Sequence, residues 1–113
     1  VIKVPNVDFH PEPPPGMPDH VYIMGERIEV KYSDNLLKDR DAYGVEILKD
    51  GLIVIDTDVS EDHMRRVLTH EILHACFGLV DVHGMNGEQE EIVVRALSAG
   101  LHSALKSNDP WWE

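Results

Sequence analysis

The sequence predicts an α+β fold: a mostly antiparallel sheet of three to four strands packed on two helices. Three observations carry that expectation. Two β-prone runs, 20–32 and 43–56, each bend about a glycine. Two later stretches, 60–77 and 87–106, carry helix signals. The 113 residues suffice for one domain with a modest core.

Residues 1–19 hold six of the seven prolines, including Pro13-Pro14-Pro15. Proline fixes φ and lacks an amide donor, so this stretch is neither helix nor interior strand. It reads as an extended, polyproline-like arm ahead of a single domain spanning 20–113. Such a terminus is expected to be mobile, with His10 and His20 exposed; the alternative is an arm laid across the functional cleft.

Val21 and Ile23 precede Gly25-Glu26, and Ile28, Val30 and Tyr32 follow at every second position, as in a half-buried hairpin. Residues 33–42 are polar around Leu36-Leu37 and read as a loop or a short helical turn capped by Ser33 or Asp34. Asp50-Gly51 then separates 43–49 from 52–56, a second hairpin signal. Leu52-Ile53-Val54-Ile55 is wholly apolar, so this strand is expected at the centre of the sheet.

Ser60 is placed to cap a helix whose first turn carries Glu61 and Asp62. That helix is expected to run to about Phe77, with Gly78 stopping it. A loop with Gly84 and Gly87 leads to a second helix ending near Lys106. Val94, Leu97, Leu101 and Leu105 recur at helical steps and predict its buried stripe. Asn108-Asp109-Pro110 ends it, and Trp111-Trp112-Glu113 forms a tail that folds back or meets a partner.

The totals exclude several roles. A net charge of −11 argues against a nucleic-acid partner, which needs phosphate neutralisation, and favours a basic substrate if electrostatics steer binding. No apolar run approaches the roughly 20 residues of a membrane span, and no secretory signal is apparent. One cysteine, Cys76, precludes an internal disulfide and fits a reducing, cytoplasmic compartment; it reads as a small buried helix residue.

The first helix contains His70-Glu71-Ile72-Leu73-His74, an H-E-x-x-H motif. Residues i and i+4 lie one turn apart on one face, so both imidazoles can reach one Zn²⁺ ion. Glu71 sits about 100° further round, where it flanks the ion without binding it. There it can hold a water and take its proton as general base. The apolar neighbours make two histidines and a carboxylate costly to bury without a partner. His63 lies on the same face two turns earlier, about 10 Å away, and reads as a surface or cleft-rim residue.

A catalytic zinc takes a third protein ligand and keeps an open position. The longer motif ending in a third histidine is absent, since Phe77 and Val80 stand in its places. The candidates are Asp81, His83, Glu88, Glu90, Glu91 and His102. Glu90 points near the middle of the second helix's apolar stripe; Glu91 lies at its edge beside Val94 and Ser98 and can reach the seam between helices.

Gly51-Leu-Ile-Val-Ile-Asp56, Ser60, the run Leu68–Ala75, Glu91 six residues before Leu97-Ser-Ala-Gly-Leu101, then Asn108 and Pro110 together carry a resemblance. Over roughly 43–110 the chain resembles the small zinc-peptidase-like proteins of phages and prophages. These are minimal gluzincin-type domains, distantly similar to the ImmA/IrrE metallopeptidases. The resemblance implies a zincin-like fold and places the third ligand near the start of the second helix, at Glu91 rather than Glu90. Relatives carry a tyrosine where this chain has His102, which suggests His102 as a donor to a substrate oxyanion.

The expected function is therefore a zinc-dependent metallopeptidase, with Zn²⁺ on His70, His74 and Glu91, Glu71 as base, and a peptide or protein substrate. It would work in the cytoplasm, the host's if the protein is phage-encoded. The alternative is a zinc-binding, non-catalytic interaction or regulatory module.

Overall fold

In a computed structural model, residues 8–34, 43–47, 50–80 and 84–107 are described. Four strands and two helices follow one another: β1 (His20–Ile23), β2 (Glu26–Ser33), β3 (Gly44–Ile47), β4 (Leu52–Asp56), α1 (Glu61–Val80) and α2 (Gly87–Ser107). The α+β expectation holds, with a four-stranded sheet in the order β1-β2-β4-β3.

Both expected hairpins form. β1 pairs antiparallel with β2 through Ile23↔Glu26, leaving Met24-Gly25 as a two-residue turn. Both turn residues have positive φ, 51° and 82°, the signature of a type I′ turn that matches strand twist. The turn thus begins one residue earlier than expected, and Glu26 belongs to β2. β3 pairs antiparallel with β4 through Ile47↔Leu52, and Gly51 supplies a φ of 61° in the connection. Residues 48 and 49, expected in that strand, lie outside the described residues, as does most of the possible capped turn at 33–42.

The hairpins join through β2 and β4, which run parallel from Glu29↔Leu52 to Ser33↔Asp56. β4 therefore sits between β2 and β3, and all five of its residues are buried. Its apolar run has a reason: Ile53 and Ile55 face α1, while Leu52 and Val54 pack with Phe9, Val45 and Ile47 on the opposite face.

The main core lies between sheet and α1. Ile28, Val30 and Tyr32 alternate inward from β2 and meet Ile53, Ile55, Met64, Leu68 and Ala75. Ser60 caps α1, its hydroxyl accepting from the His63 amide at 3.1 Å. α1 continues through Gly78 to Val80, so the expected stop at Gly78 does not operate. A helical glycine costs only about 1 kcal/mol relative to alanine, and Leu79 one residue on packs against the core.

The described part of the arm, residues 8–19, is fastened to the domain. Met17 is a core residue. The Tyr32 hydroxyl donates to the Pro18 carbonyl, and the Val30 amide donates to the Asp19 carbonyl at 3.0 Å. Burial raises the Tyr32 pKa well above its ordinary value. Arg65 reaches back to the Gly16 carbonyl. None of these residues covers the cleft between α1, α2 and β3.

α2 packs on α1, away from the sheet. Its N-terminus is a reciprocal cap: Asn86 accepts from the Gln89 amide at 2.8 Å, and Gln89 accepts from the Asn86 amide at 2.9 Å. The expected stripe is displaced. Val94 and Ser98 are the buried residues of α2, whereas Leu97 and Leu101 are 52% and 41% exposed. A helix with a single neighbour buries a narrow seam. Here the seam runs along Glu91, Val94, Ser98 and His102, at three- and four-residue steps. That rotation brings Glu91 to face α1.

Candidate metal centre

Four side chains from two helices meet beside the edge of the sheet. His70 and His74 project from one face of α1 with ring centroids 4.9 Å apart. Glu91 arrives from the first turns of α2. Its two carboxylate oxygens lie 3.1 Å from His70 Nε2 and 2.8 Å from His74 Nε2. Glu90 approaches His74 from the other side, 2.6 Å from Nδ1. One ligand atom from each of His70, His74 and Glu91 falls within 4.8 Å of the others.

This donor set fits a divalent cation. Tetrahedral zinc with bonds of about 2.0–2.1 Å holds its ligand atoms roughly 3.3 Å apart, inside the 4.8 Å within which the three donor atoms fall here. The two imidazoles present Nε2 to the shared point. With its Nδ1–H donated to Glu90, His74 has Nε2 left for a metal.

The electrostatics point the same way. Burial pushes the His70 pKa down, and Glu91 only partly restores it. At His74 burial also disfavours the charged form, but the hydrogen bond to Glu90 and the charges of Glu71 and Glu91 outweigh it, so its pKa is raised. The two rings diverge because His74 has the hydrogen bond to Glu90 and the charge of Glu71 beside that of Glu91, whereas at His70 the Glu91 carboxylate is opposed by His74 and Arg95. Glu91 is held below the ordinary carboxylate range despite its burial, first by the hydrogen bond from Arg95 at 3.1 Å and then by the histidines.

Glu71 is 8% exposed, and its side chain lies between α1 and β3. Gly44 permits that approach. A Cβ on Gly44 would stand 2.5 Å from Val67 Cγ1, 3.1 Å from Glu71 Cγ and 3.2 Å from Glu71 Oε2. β3 is an edge strand of the described sheet, and Tyr43 and Gly44 at its start line the cleft. The cleft is about 620 Å³, and the sequence-predicted His70, Glu71, His74 and Glu91 all line it. His63 sits at its rim against Tyr43, ring centroids 4.9 Å apart.

The remaining candidates divide. Glu90 contacts His74 Nδ1 rather than the point shared by His70, His74 and Glu91. Glu88 is exposed in the first turn of α2, and Asp81 and His83 lie outside the described residues. His102 is not brought to the cleft. It follows Glu91 by 11 residues, about 16 Å along the helix axis. It lies 3.2 Å from Asp62 and lines a separate depression with Met17 and Arg65. A role for His102 as oxyanion donor therefore has no support in this arrangement. Cys76 is a half-buried free thiol against the core, and the tryptophan tail lies outside the described residues.

Sequence reasoning missed Tyr43, Gly44, Arg66 and Arg95 as cleft residues. Two were within reach of helical arithmetic: Arg66 stands four before His70, and Arg95 four after Glu91. No helix among the described residues is long and apolar enough to cross a membrane. No known family model, curated protein or solved structure matches this chain.

Proposed function

We propose that this chain is a zinc-dependent metallopeptidase, with His70, His74 and Glu91 as ligands and Glu71 as general base. The observation that carries the proposal is the convergence of two histidines and a carboxylate from separate helices beside a buried glutamate. Zinc held by these residues would supply an acidified water, with a pKa toward about 7, and polarisation of a substrate carbonyl. Glu71 takes the proton of the attacking water on its carboxylate and delivers it to the departing amine. Glu90 fixes the ring of His74, and Arg95 steadies Glu91. An extended substrate can add to the outer edge of β3 as a further strand.

The same ligand set is what the resemblance to small phage zinc-peptidase-like proteins implies. Kinship with that group, and work in the cytoplasm, belong to the proposal.

The test has two stages. Purified protein should carry one zinc per chain, and Glu71→Gln should keep the metal while hydrolysis falls by about 10²–10⁴-fold. Equal cleavage by both proteins would remove Glu71 from the base role. Bound zinc with no hydrolysis in either would leave the non-catalytic zinc module standing instead.

A further inference from the structure

The cleft does not share the acidic excess of the chain. The sequence has 21 acidic residues against 10 lysines and arginines. Yet the acidic residues lining the cleft are Glu71 and Glu91, both engaged by the centre itself, and two arginines stand beside them. Arg66 is one turn before His70 on the same face of α1, and Arg95 is one turn after Glu91 on α2.

Both arginines stand at helix positions toward the same end of the cleft. Asp62 meets His102, and His74 meets Glu90, so the two helices run antiparallel. Moving back from His70 along α1 is therefore the same direction as moving forward from Glu91 along α2. Tyr43 and His63 line that end as well. Among the described residues, Arg27, Arg65 and Arg95 each have a carboxylate partner, at 3.0, 3.2 and 3.1 Å. Arg66, among the described residues, has none.

We infer that Arg66, with Arg95 beside it, receives a carboxylate of the substrate, so that the peptide cut carries an acidic side chain or a free C-terminus next to the scissile bond. This rests on the peptidase reading of the site. A guanidinium binds a carboxylate through two parallel N–H donors, a geometry that also fixes the peptide's direction in the cleft. The net charge of the whole chain, which by itself favours a basic substrate, acts at long range and is screened beyond about 8 Å at physiological salt. At contact distance the local pair decides.

The experiment uses zinc-loaded protein and dipeptide hydroxamates, which bind through the metal whether or not turnover occurs. One pair differs only in a terminal carboxylate against a carboxamide, and a second pair only in a Glu against a Gln side chain. Calorimetric titration gives the affinity ratio within each pair. At least one pair should favour the carboxylate by about 10-fold, and the responding pair identifies its source. Arg66→Gln should bring that ratio near unity, with Arg66→Lys in between. Ratios near unity in the wild type, or a preference that survives Arg66→Gln, would overturn the inference while leaving the metal centre intact. Hydroxamates that fail to bind at all would instead take down the peptidase reading and this inference with it.

Discussion

α1 presents two flanks to α2 and its surroundings, and each brings a histidine against a carboxylate. On one, His74 meets Glu90 and Glu91 while His70 meets Glu91. On the other, His102 meets Asp62 at 3.2 Å, and Lys106 reaches the same oxygen at 3.0 Å. The second flank supplies its own cation, so its charge is already balanced. The first places Glu71, Glu90 and Glu91 around two imidazoles, with Arg95 as the nearest permanent counter-charge. Residue types alone do not separate the two. Convergence of donor atoms and an excess of carboxylate do, and both favour a bound divalent cation on one flank only.

Ligand removal should break the comparison most sharply. His70→Ala should abolish stoichiometric zinc binding, whereas His102→Ala should leave it intact, as measured by metal content after dialysis. Removing zinc with a chelator should lower the melting temperature of the wild type and of His102→Ala alike, because the metal binds the folded form. Equal metal loss in the two variants would show that the flanks are not distinct.

Glu90 refines the contrast. Carboxylates that orient a metal-binding histidine are typically worth about 10–100-fold in metal affinity. Glu90→Gln should weaken zinc by that order in competition with a fluorescent chelator. Glu88→Gln, two residues away and exposed, should have no measurable effect. If both behave alike, the contact at His74 Nδ1 contributes only general negative charge.

How far the sequence reached follows the range of each interaction. Local rules placed both hairpins, the Ser60 cap, and the pairing of His70 with His74, because each is decided within a few residues. The apolar run of β4 also announced its central position. The parallel pairing of β2 with β4 was not legible: it depends on β3 taking the far edge of the sheet and β4 returning between β3 and β2. The seam of α2 was misjudged for a similar reason. Leu97 and Leu101 have the right period, but a helix touching one neighbour need not bury its most apolar face. Glu91 was favoured through family resemblance, and the observed seam at Val94 and Ser98 supplies the physical reason.

Two glycines sharpen the role of the sheet edge against the outer helix. Gly44→Ala forces a methyl group to within 2.5 Å of Val67 Cγ1 and against Glu71. Overpacking of this kind costs about 1–3 kcal/mol, and displacement of Glu71 should lower turnover as well. Gly100 in α2 has nothing within 4 Å of an added Cβ. Gly100→Ala should therefore stabilise the protein by about 0.5–1 kcal/mol through helix propensity. Thermal unfolding of both variants reads the difference directly, and a stable Gly44→Ala with full activity would contradict the close approach of β3.

The smallest effect belongs to the balanced flank and is a matter of pH. The Asp62 carboxyl is held below its ordinary value of 3.8, first by the hydrogen bond from Lys106 and also by His102. A depressed folded pKa means that the unfolded chain binds the proton more readily. The pair therefore contributes stability above the unfolded value, and that contribution fades as the pH falls through the unfolded value toward the folded one. Asp62 is exposed, so solvent and salt screen the effect. Asp62→Asn should flatten the acid limb of melting temperature against pH slightly, and added salt should shrink even that difference. The zinc-binding isotherm at neutral pH should be unmoved by the substitution. If Asp62→Asn weakens zinc, the two flanks communicate along α1, and charge balance on one is not independent of the metal on the other.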